Sequence, residues 1–519
     1  MLLLALLLAP APVVSDGPAP DAHYVEVLPD RYTFAGDAAV YGWGVVPEPC
    51  CVAAVTSAAA GGTLLLMNSG RLLLASPAIG GARDRTFSSV SFTGGPGPSS
   101  GSKLATSDGV PTAFADATGL TELNCTRQLD TCAVGSATPA AFGVVTSVEG
   151  VDGAYFVAAG NGLFRCESGH CAQLLGAGGP TEAPITALAV HADGSPALIA
   201  AGSADKVWLL TPAGVVVRWE WVTAISGPHL GSGGVLDGPV TALAFDTDST
   251  LLAGNDVALN LRHARNGSWG RICGDDGLPY ANITAIATGG RDPISGAKQL
   301  WLGTAMGLVV KSADPSADPQ YRYLFGPRYH PGERVTAMAL STDGAGVIAA
   351  TDGGVVWLTQ EPWTLARKAA LMQAKLARHD RHGLVAGCSL PGYGNTSASH
   401  CTDDDNNGLW TSLVVAAEYL RYGATRDPAA AKSAAHFLGG MTMLHEITGI
   451  PGLYARSACA PTDPDCAADR HTQQQGCGGA KSCRGGSVCP GCCDSPNASA
   501  CGLQWRNSTD PKYLFSCSS

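Results

Sequence analysis

Residues 277–311 have the sequence GLPYANITAIATGGRDPISGAKQLWLGTAMGLVVK. The segments 283–287, 300–304 and 307–310 are apolar or alternate apolar with small residues, and clusters of Gly, Asp and Pro separate them. Short runs of this kind between turn residues are typical of β-strands. The stretch therefore predicts three successive strands of one sheet.

The same pattern recurs along the chain. Segments beginning at Ile185, Val240 and Val335 repeat the ITAIA motif of 283–287, and weaker copies precede them. In all, seven copies begin near residues 52, 87, 144, 185, 240, 283 and 335. Their spacing of about 35 to 57 residues brackets the roughly 40–50 residues of a propeller blade. Because stacked blades bury the faces that one sheet leaves open, we predict a mainly β fold with a β-propeller over residues 22–360. Seven blades are favoured, and six or eight stay possible.

A propeller also needs a strand that joins its last blade to the start of the chain. Two upstream segments, 22–34 and 40–46, have strand character. We predict that one of them pairs with the last blade near residues 355–358 and closes the ring.

The string GLPYANITAIA…LWLGTAMGLVVK resembles the repeat of two-component-regulator-type propellers. The resemblance is best in 277–311 and extends to 185–210 and 335–358. It implies a seven-bladed propeller. It implies no catalytic residues, because in that family the repeat is a scaffold and the binding loops vary.

The composition agrees with an all-β fold and excludes some partners. Of the 519 residues only 14 % are charged, whereas 66 are Gly and 33 are Pro. The net charge is −11, and no basic cluster occurs. Nucleic acids and anionic membranes need concentrated Lys and Arg, so we do not expect either as the main partner.

Three features predict secretion. The apolar run at 1–9, followed by small residues near Ser15, predicts a signal peptide over 1–15, and no later run is long enough to span a membrane. Six glycosylation sequons occur, at Asn124, Asn266, Asn282, Asn395, Asn497 and Asn507. The chain has 18 cysteines, and in a secreted protein close pairs predict disulfides. The predicted pairs join Cys125 to Cys132, Cys166 to Cys171 and Cys388 to Cys401.

After Pro362 the composition becomes helical. Apolar spacing predicts helices over 363–377, 409–422 and 428–448, the last with an Asp427 cap. This segment, 363–458, resembles the helix pairs of (α/α) toroid carbohydrate-processing domains. Such a toroid needs roughly ten to twelve helices to close, so the resemblance implies a domain that is incomplete in this chain. Residues 459–519 carry nine cysteines, including a CxxC at 489–492, and we predict a disulfide-held segment.

Two polar segments are candidates for chemistry. His379, Asp380, Arg381 and His382 end the first predicted helix, where they supply acid/base or metal-binding groups, or only contact the helix dipole. Asp403, Asp405 and Asn407 lie at the spacing of calcium ligands, although Val414 stands where an EF-hand needs Glu. The same acidic segment is alternatively a helix cap, or a substrate site with Asp404 and Trp410.

These observations leave two functions open. The first is a secreted propeller that binds a glycan or an extracellular protein through its blade loops. The second is a polysaccharide lyase or glycoside hydrolase with a truncated helical domain, which would need a base and a neutralising Arg, or two opposed carboxyl groups. No nucleophile elbow, zincin, phosphate-loop or dinucleotide motif occurs, and no cofactor other than calcium is indicated. We favour the binding function.

Overall fold

The computed structural model describes residues 23–34, 44–48, 51–57, 62–77, 85–107, 110–126, 128–151, 153–160, 162–174, 184–191, 198–204, 206–213, 216–225, 235–236, 238–317, 319–326, 328–389, 400–402, 406–463, 506–507 and 509–516. The chain divides into two compact units. Val25–Pro362 is the propeller unit, and the described residues from Trp363 onward form the helical unit. The predicted signal peptide lies outside the described residues.

Seven sheets of four or five strands follow one another in the propeller unit, and each is one blade, as predicted. The first two strands of the chain, β1 (His23–Phe34) and β2 (Gly44–Val46), belong to the seventh blade. The first blade contains β3 (Val52–Ser57), β4 (Thr63–Met67), β5 (Leu72–Ala75) and β6 (Phe87–Ser89). The second contains β7 (Ser91–Thr93), β8 (Lys103–Ser107), β9 (Val110–Asp116), β10 (Gly119–Cys125) and β11 (Thr131–Pro139).

The next five blades follow in chain order. The third contains β12 (Val145–Val151), β13 (Ala154–Ala159), β14 (Gly162–Glu167) and β15 (His170–Gln173). The fourth contains β16 (Ala187–His191), β17 (Leu198–Gly202), β18 (Lys206–Ala213), β19 (Val216–Ile225) and β20 (Val235–Leu236). The fifth contains β21 (Ala242–Phe245), β22 (Leu251–Gly254), β23 (Leu259–Arg262) and β24 (Trp269–Ile272). The sixth contains β25 (Ile283–Arg291), β26 (Lys298–Thr304), β27 (Gly307–Ser312) and β28 (Tyr321–Leu324). The seventh adds β29 (Val335–Leu340), β30 (Gly346–Thr351) and β31 (Gly354–Thr364).

The ring closes through the start of the chain. In the seventh blade the strand order is β2-β1-β31-β30-β29, so β1 pairs with the strand that contains 355–358. This confirms the closure predicted for 22–34. The alternative segment does not do so, because β2 pairs in parallel with β1, Tyr32 opposite Gly44.

One predicted repeat was misplaced. The copy expected near residue 87 is the outer strand of the first blade, since Phe87 pairs with Ala75 of β5. The inner strand of the second blade is β8, which begins at Lys103. Its sequence KLATS lacks the ITA motif, whereas 87–92 alternates like a strand, so the pattern located a strand but not its blade.

The threonine of the repeated ITA motif links neighbouring blades. Each hydroxyl donates to a backbone carbonyl that precedes or begins the inner strand of the next blade. The pairs are Thr146 to Ile185, Thr186 to Val240, Thr241 to Ile283, Thr284 to Val335 and Thr336 to Val52. The motif therefore encodes contacts between blades as well as strand alternation.

A glycine near the end of the second strand completes each of three blade contacts. A Cβ atom on Gly202, Gly254 or Gly303 would lie 2.6 Å from the side chain of Val240, Ile283 or Val335, respectively, in the next blade. Only glycine lets the next blade approach this closely.

We predict that Gly254→Ala lowers the free energy of unfolding by about 1–3 kcal/mol, because the added methyl group overpacks against Ile283. Thermal unfolding followed by circular dichroism measures the change. Gly274→Ala is the matched control, since nothing lies within 4 Å of its Cβ position. Equal melting temperatures for the two variants would contradict the contact.

The helical unit contains three α-helices. They are α1 (Leu365–Leu376), α2 (Asn407–Thr425) and α3 (Pro428–Glu446). Asp427 caps α3, since its Oδ1 accepts a hydrogen bond from the amide of Ala429 at 2.9 Å, as the sequence predicts. Helix α1 begins two residues later than predicted, because β31 continues to Thr364, whose Oγ1 caps the helix at Arg367. No described helix is long and apolar enough to cross a membrane.

Short strands complete the helical unit. They are β32 (Asp380–Arg381), β33 (Leu384–Val385), β34 (Gly387–Ser389), β35 (His400–Thr402), β36 (Ser457–Cys459), β37 (Arg506–Asn507) and β38 (Leu514–Ser516). Most of the predicted disulfide-held segment, 459–519, lies outside the described residues.

All three disulfides predicted from the sequence are confirmed. They join Cys125 to Cys132, Cys166 to Cys171 and Cys388 to Cys401. In each of them the two cysteines lie directly opposite each other on paired antiparallel strands, so each disulfide cross-links the two strands of one hairpin. Cys51 and Cys459 are also disulfide-bonded.

The sequon asparagines differ in accessibility. Asn124 and Asn266 are exposed, whereas Asn282 is half-buried. Asn507 lies in β37, and Asn395 and Asn497 lie outside the described residues. Glycosylation at these positions stays a prediction.

Candidate functional site

The segment from His379 to His382 does not end a helix, which corrects the predicted placement. Helix α1 ends at Leu376, and β32 pairs with β33 in a short hairpin. His382 and Gly383 form its two-residue turn with φ values of 58° and 80°. Such a turn needs positive φ at both positions, which Gly383 adopts without strain. The spacing of His379 and His382 on one helix face therefore does not apply.

Arg381 and His382 converge on Asp463. The Nε and Nη2 atoms of Arg381 donate to Asp463 Oδ2 at 3.1 and 3.0 Å, and His382 Nε2 lies 2.9 Å from the same oxygen. Burial opposes ionisation of Asp463, but hydrogen bonds from Ala460, His382 and Arg381, together with the guanidinium charge, outweigh it and lower the pKa of Asp463. Arg381 is only 8 % exposed, so its guanidinium group is buried where it meets Asp463.

Asp380 orients a histidine that sequence reasoning missed. His436 of α3 places Nε2 2.7 Å from Asp380 Oδ2, while Asp380 Oδ1 accepts the amide of Gly383 at 3.0 Å. His379 lies apart from this pair, with Nδ1 3.0 Å from the carbonyl of Ala386. Of the four predicted residues, Asp380, Arg381 and His382 therefore belong to a polar cluster, and His379 has a local contact.

A cleft of about 460 Å³ lies beside this cluster. His382, His436, Glu446, Asp510 and Tyr513 are among its lining residues. The edge of Tyr513 meets His382, with ring centroids 5.6 Å apart. Two carboxylate-oriented imidazoles in a cleft are suited to hydrogen bonding with a polar ligand and to proton transfer.

The predicted calcium and substrate residues have mixed placements. Asp403, Asp404 and Asp405 lie outside the described residues. Asn407 is buried at the start of α2, where its Nδ2 donates to Val385 O at 2.8 Å and its Oδ1 accepts from Ser457. Trp410 is 44 % exposed on α2. Calcium binding stays a prediction, and the described residues contain no cluster of three or more metal-ligating His, Cys, Asp or Glu side chains.

A second candidate site lies at one end of the sixth blade, which contains the stretch 277–311. We call Tyr280, Met306, Tyr323 and Phe325 the blade-6 patch. The rings of Tyr323 and Phe325 lie 5.4 Å apart, and the Tyr323 hydroxyl donates to Met306 O. Burial, with the neighbouring Tyr280 and Glu333, raises the pKa of Tyr323. Phe325 is 52 % exposed although it is fully apolar.

Carboxylates lie at the same end of the propeller as the blade-6 patch. The patch lies where β26 turns into β27 and where β28 ends, so the equivalent turns of the neighbouring blades lie at the same end of the propeller. These turns carry five exposed acidic residues, Asp256, Asp275, Asp276, Glu333 and Asp352. Arg328 and Arg334 are the basic residues on the described part of the loop between the sixth and seventh blades. The rim is therefore acidic overall.

Comparison with known proteins assigns neither site, since no protein-family model matches the chain and no curated protein is significantly similar to it. The kinship with two-component-regulator-type propellers and with (α/α) toroids therefore stays a prediction.

Proposed function

We propose that the protein is a secreted propeller that binds an extracellular protein partner through the blade-6 patch. The observation that carries the proposal is the exposure of Met306, in the turn between β26 and β27, and of Phe325, just after β28, with the half-buried Tyr323 in contact with both. Exposed apolar patches on soluble proteins are typical of interaction sites. Tyr, Phe and Met are also the residue types enriched at the centres of protein interfaces, whereas a scaffold has no need to expose them.

The partner segment should be basic around an apolar centre. The acidic rim of five carboxylates favours Lys and Arg on the partner, and it would speed association at low salt. The disulfides within the propeller suit an oxidising extracellular environment. A glycan, whose sugar rings would stack on the same aromatic side chains, is the competing ligand.

The test is selection of a displayed random-peptide library on the intact protein, followed by affinity measurement on selected peptides. We expect enriched peptides with aromatic and basic residues, and we expect Phe325→Ser to weaken them at least tenfold. The matched control is Ile294→Ser, because Ile294 is 44 % exposed in the same blade but lies in the turn at its opposite end. Peptides that bind Phe325→Ser as tightly as the unaltered protein would refute the proposal. If instead the protein binds sugars on a glycan array and this binding requires the blade-6 patch, the ligand is a carbohydrate and not a protein.

An enzymatic role of the helical unit has less support than the binding function. Elimination on a uronic-acid polysaccharide would need Arg381 to neutralise the substrate carboxylate, but Arg381 is bound to Asp463. Hydrolysis would need two carboxyl groups on opposite sides of the scissile bond. Glu446 and Asp510 line the cleft and are the pair that such a reaction would use. Hydrolysis is therefore the better supported form of this alternative.

A further inference from the structure

Two charged residues interrupt a ring of small residues in the inner strands. Strand register defines two equivalent positions in every blade. The first is occupied by Ala54, Lys103, Ser147, Ala187, Ala242, Ala285 and Ala337. The second is occupied by Thr56, Ala105, Glu149, Ala189, Ala244, Ala287 and Ala339. All are Ala, Ser or Thr except Lys103 and Glu149, which lie in adjacent blades and have opposite charges.

Lys103 and Glu149 line the same cavity. It has a volume of about 230 Å³, and inner strands of the first three blades form its walls. Thr56, Thr106 and Ser147 add hydroxyl groups to the lining. Within the described part of the chain, neither the ammonium of Lys103 nor the carboxyl of Glu149 has an ion-pair or hydrogen-bond partner, and burial is the sole cause of the pKa shift of each.

The other titratable groups near Glu149 are already engaged. The strands that pack against β12 are β8, β9, β13 and β16, and besides Lys103 they carry Asp116, Tyr155 and His191. Asp116 accepts the amide of Thr118, the Tyr155 hydroxyl donates to Thr112 O, and His191 Nε2 lies 2.8 Å from Ser249 Oγ. Lys103 and Glu149 are therefore the charges in this region that a ligand can meet.

Two unpaired ionisable groups in a cavity oppose folding. Burial lowers the pKa of Lys103 and raises that of Glu149 to about 7, so both groups are pushed toward their neutral forms. Most blades carry alanine at these positions. Alanine has no ionisable group and would avoid this loss of stability. Departures from a local rule without structural compensation are expected at functional sites.

We propose that this cavity binds a small zwitterion of the amino-acid class, with its carboxylate at Lys103 and its amine at Glu149. Such a ligand supplies one opposite charge to each unpaired group, and the hydroxyl groups of the walls satisfy its remaining polar atoms. The volume is below the roughly 300–1,000 Å³ of pockets that take drug-sized ligands, which also favours a small molecule. This site is separate from the blade-6 patch and does not depend on it.

The test is thermal unfolding of the dialysed protein in the presence of each free α-amino acid. We expect at least one to raise the melting temperature with concentration, since a ligand of the folded state stabilises it. Its N-acetyl derivative and its methyl ester each lack one charge and should bind at least tenfold more weakly by calorimetry. Lys103→Ala and Glu149→Ala should abolish the shift.

Both variants are expected to fold, because each introduces the residue that other blades carry at the same position. A melting temperature equal to or above that of the unaltered protein, measured without ligand, verifies this. The proposal is overturned if no free amino acid shifts the melting temperature, if the blocked derivatives bind as well as the free amino acid, or if Glu149→Ala retains the shift.

Discussion

Trp357→Ala is expected to lower the free energy of unfolding by about 3–5 kcal/mol, the range for removing a large aromatic side chain from a core. Trp357 is 5 % exposed, and its indole Nε1 donates to Thr63 Oγ1 at 2.9 Å, from the seventh blade to the first. The guanidinium of Arg85 lies 4.3 Å from the ring centroid, and Phe87 packs nearby. One side chain thus provides apolar packing, a hydrogen bond and a cation–π contact at the place where the ring closes.

The measurement is chemical denaturation combined with hydrogen exchange. If Trp357 stabilises the closure of the ring, hydrogen exchange in Trp357→Ala should become faster in β3–β5 and β29–β31. This increase should precede any increase in β22, which lies in the fifth blade. Trp269→Ala is the control, because Trp269 is only partly buried, at the outer strand of that blade. A uniform rise in exchange, or equal destabilisation by the two substitutions, would show that Trp357 has no special role in closure.

The fold was predictable because the repeat encodes the contacts between blades. Thr241 hydrogen-bonds to the next blade and Gly254 packs against it, so the short motif carries long-range information. The second blade was misplaced where this information is missing, since β8 has neither the ITA motif nor an equivalent threonine contact. That β1 closes the ring was predictable, because the ring needs a final strand. The register in which β1 pairs with its neighbouring strands was not predictable.

The disulfides were predictable for a local reason. Cys125 and Cys132 are 7 residues apart, and Cys166 and Cys171 are 5 apart, so a single hairpin turn brings each pair together. The 13-residue separation of Cys388 and Cys401 spans a longer connection, yet the two strands still place the cysteines opposite each other. Cysteines that are close in sequence and lie on the two strands of one hairpin could therefore be paired from the sequence alone.

The candidate site in the helical unit was only half predictable. Residue type alone identified Asp380, Arg381 and His382, but their partners His436 and Asp463 lie 56 and 82 residues along the chain. No local motif connects positions so far apart, and the hairpin that presents His382 depends on the turn that His382 itself forms with Gly383. The blade-6 patch was hidden for a different reason, because its apolar residues resemble those of the core until the loops are placed.

Glu149 illustrates the gain from strand register. In the sequence, TSVEG at 146–150 is a weak copy of the repeated ITALA motif, and its glutamate has no evident significance. Register places it level with Ala189, Ala244 and Ala287, where it is the single carboxylate among the equivalent positions of the seven blades. This placement has a measurable consequence for stability.

We expect the free energy of unfolding of the ligand-free protein to fall as the pH rises, because Glu149 ionises. Burial raises the pKa of Glu149 from an ordinary 4.5 to about 7, so the folded state holds a proton that the unfolded state releases. The stabilising contribution is fully present below pH 4.5 and is lost as the pH passes about 7. The shift corresponds to up to about 3 kcal/mol, lessened by water that reaches the cavity.

Glu149→Gln isolates this contribution, because the amide imitates the protonated carboxyl group and cannot ionise. The variant and the unaltered protein should have similar melting temperatures near pH 4.5, and the variant should become the more stable of the two between about pH 5 and 8. Glu122→Gln is the control on a neighbouring blade, since Glu122 is exposed on β10. A difference that is constant with pH would mean that Glu149 ionises normally in the folded protein. Added zwitterion should shrink the difference at about pH 8, because its amine stabilises the carboxylate that glutamine lacks.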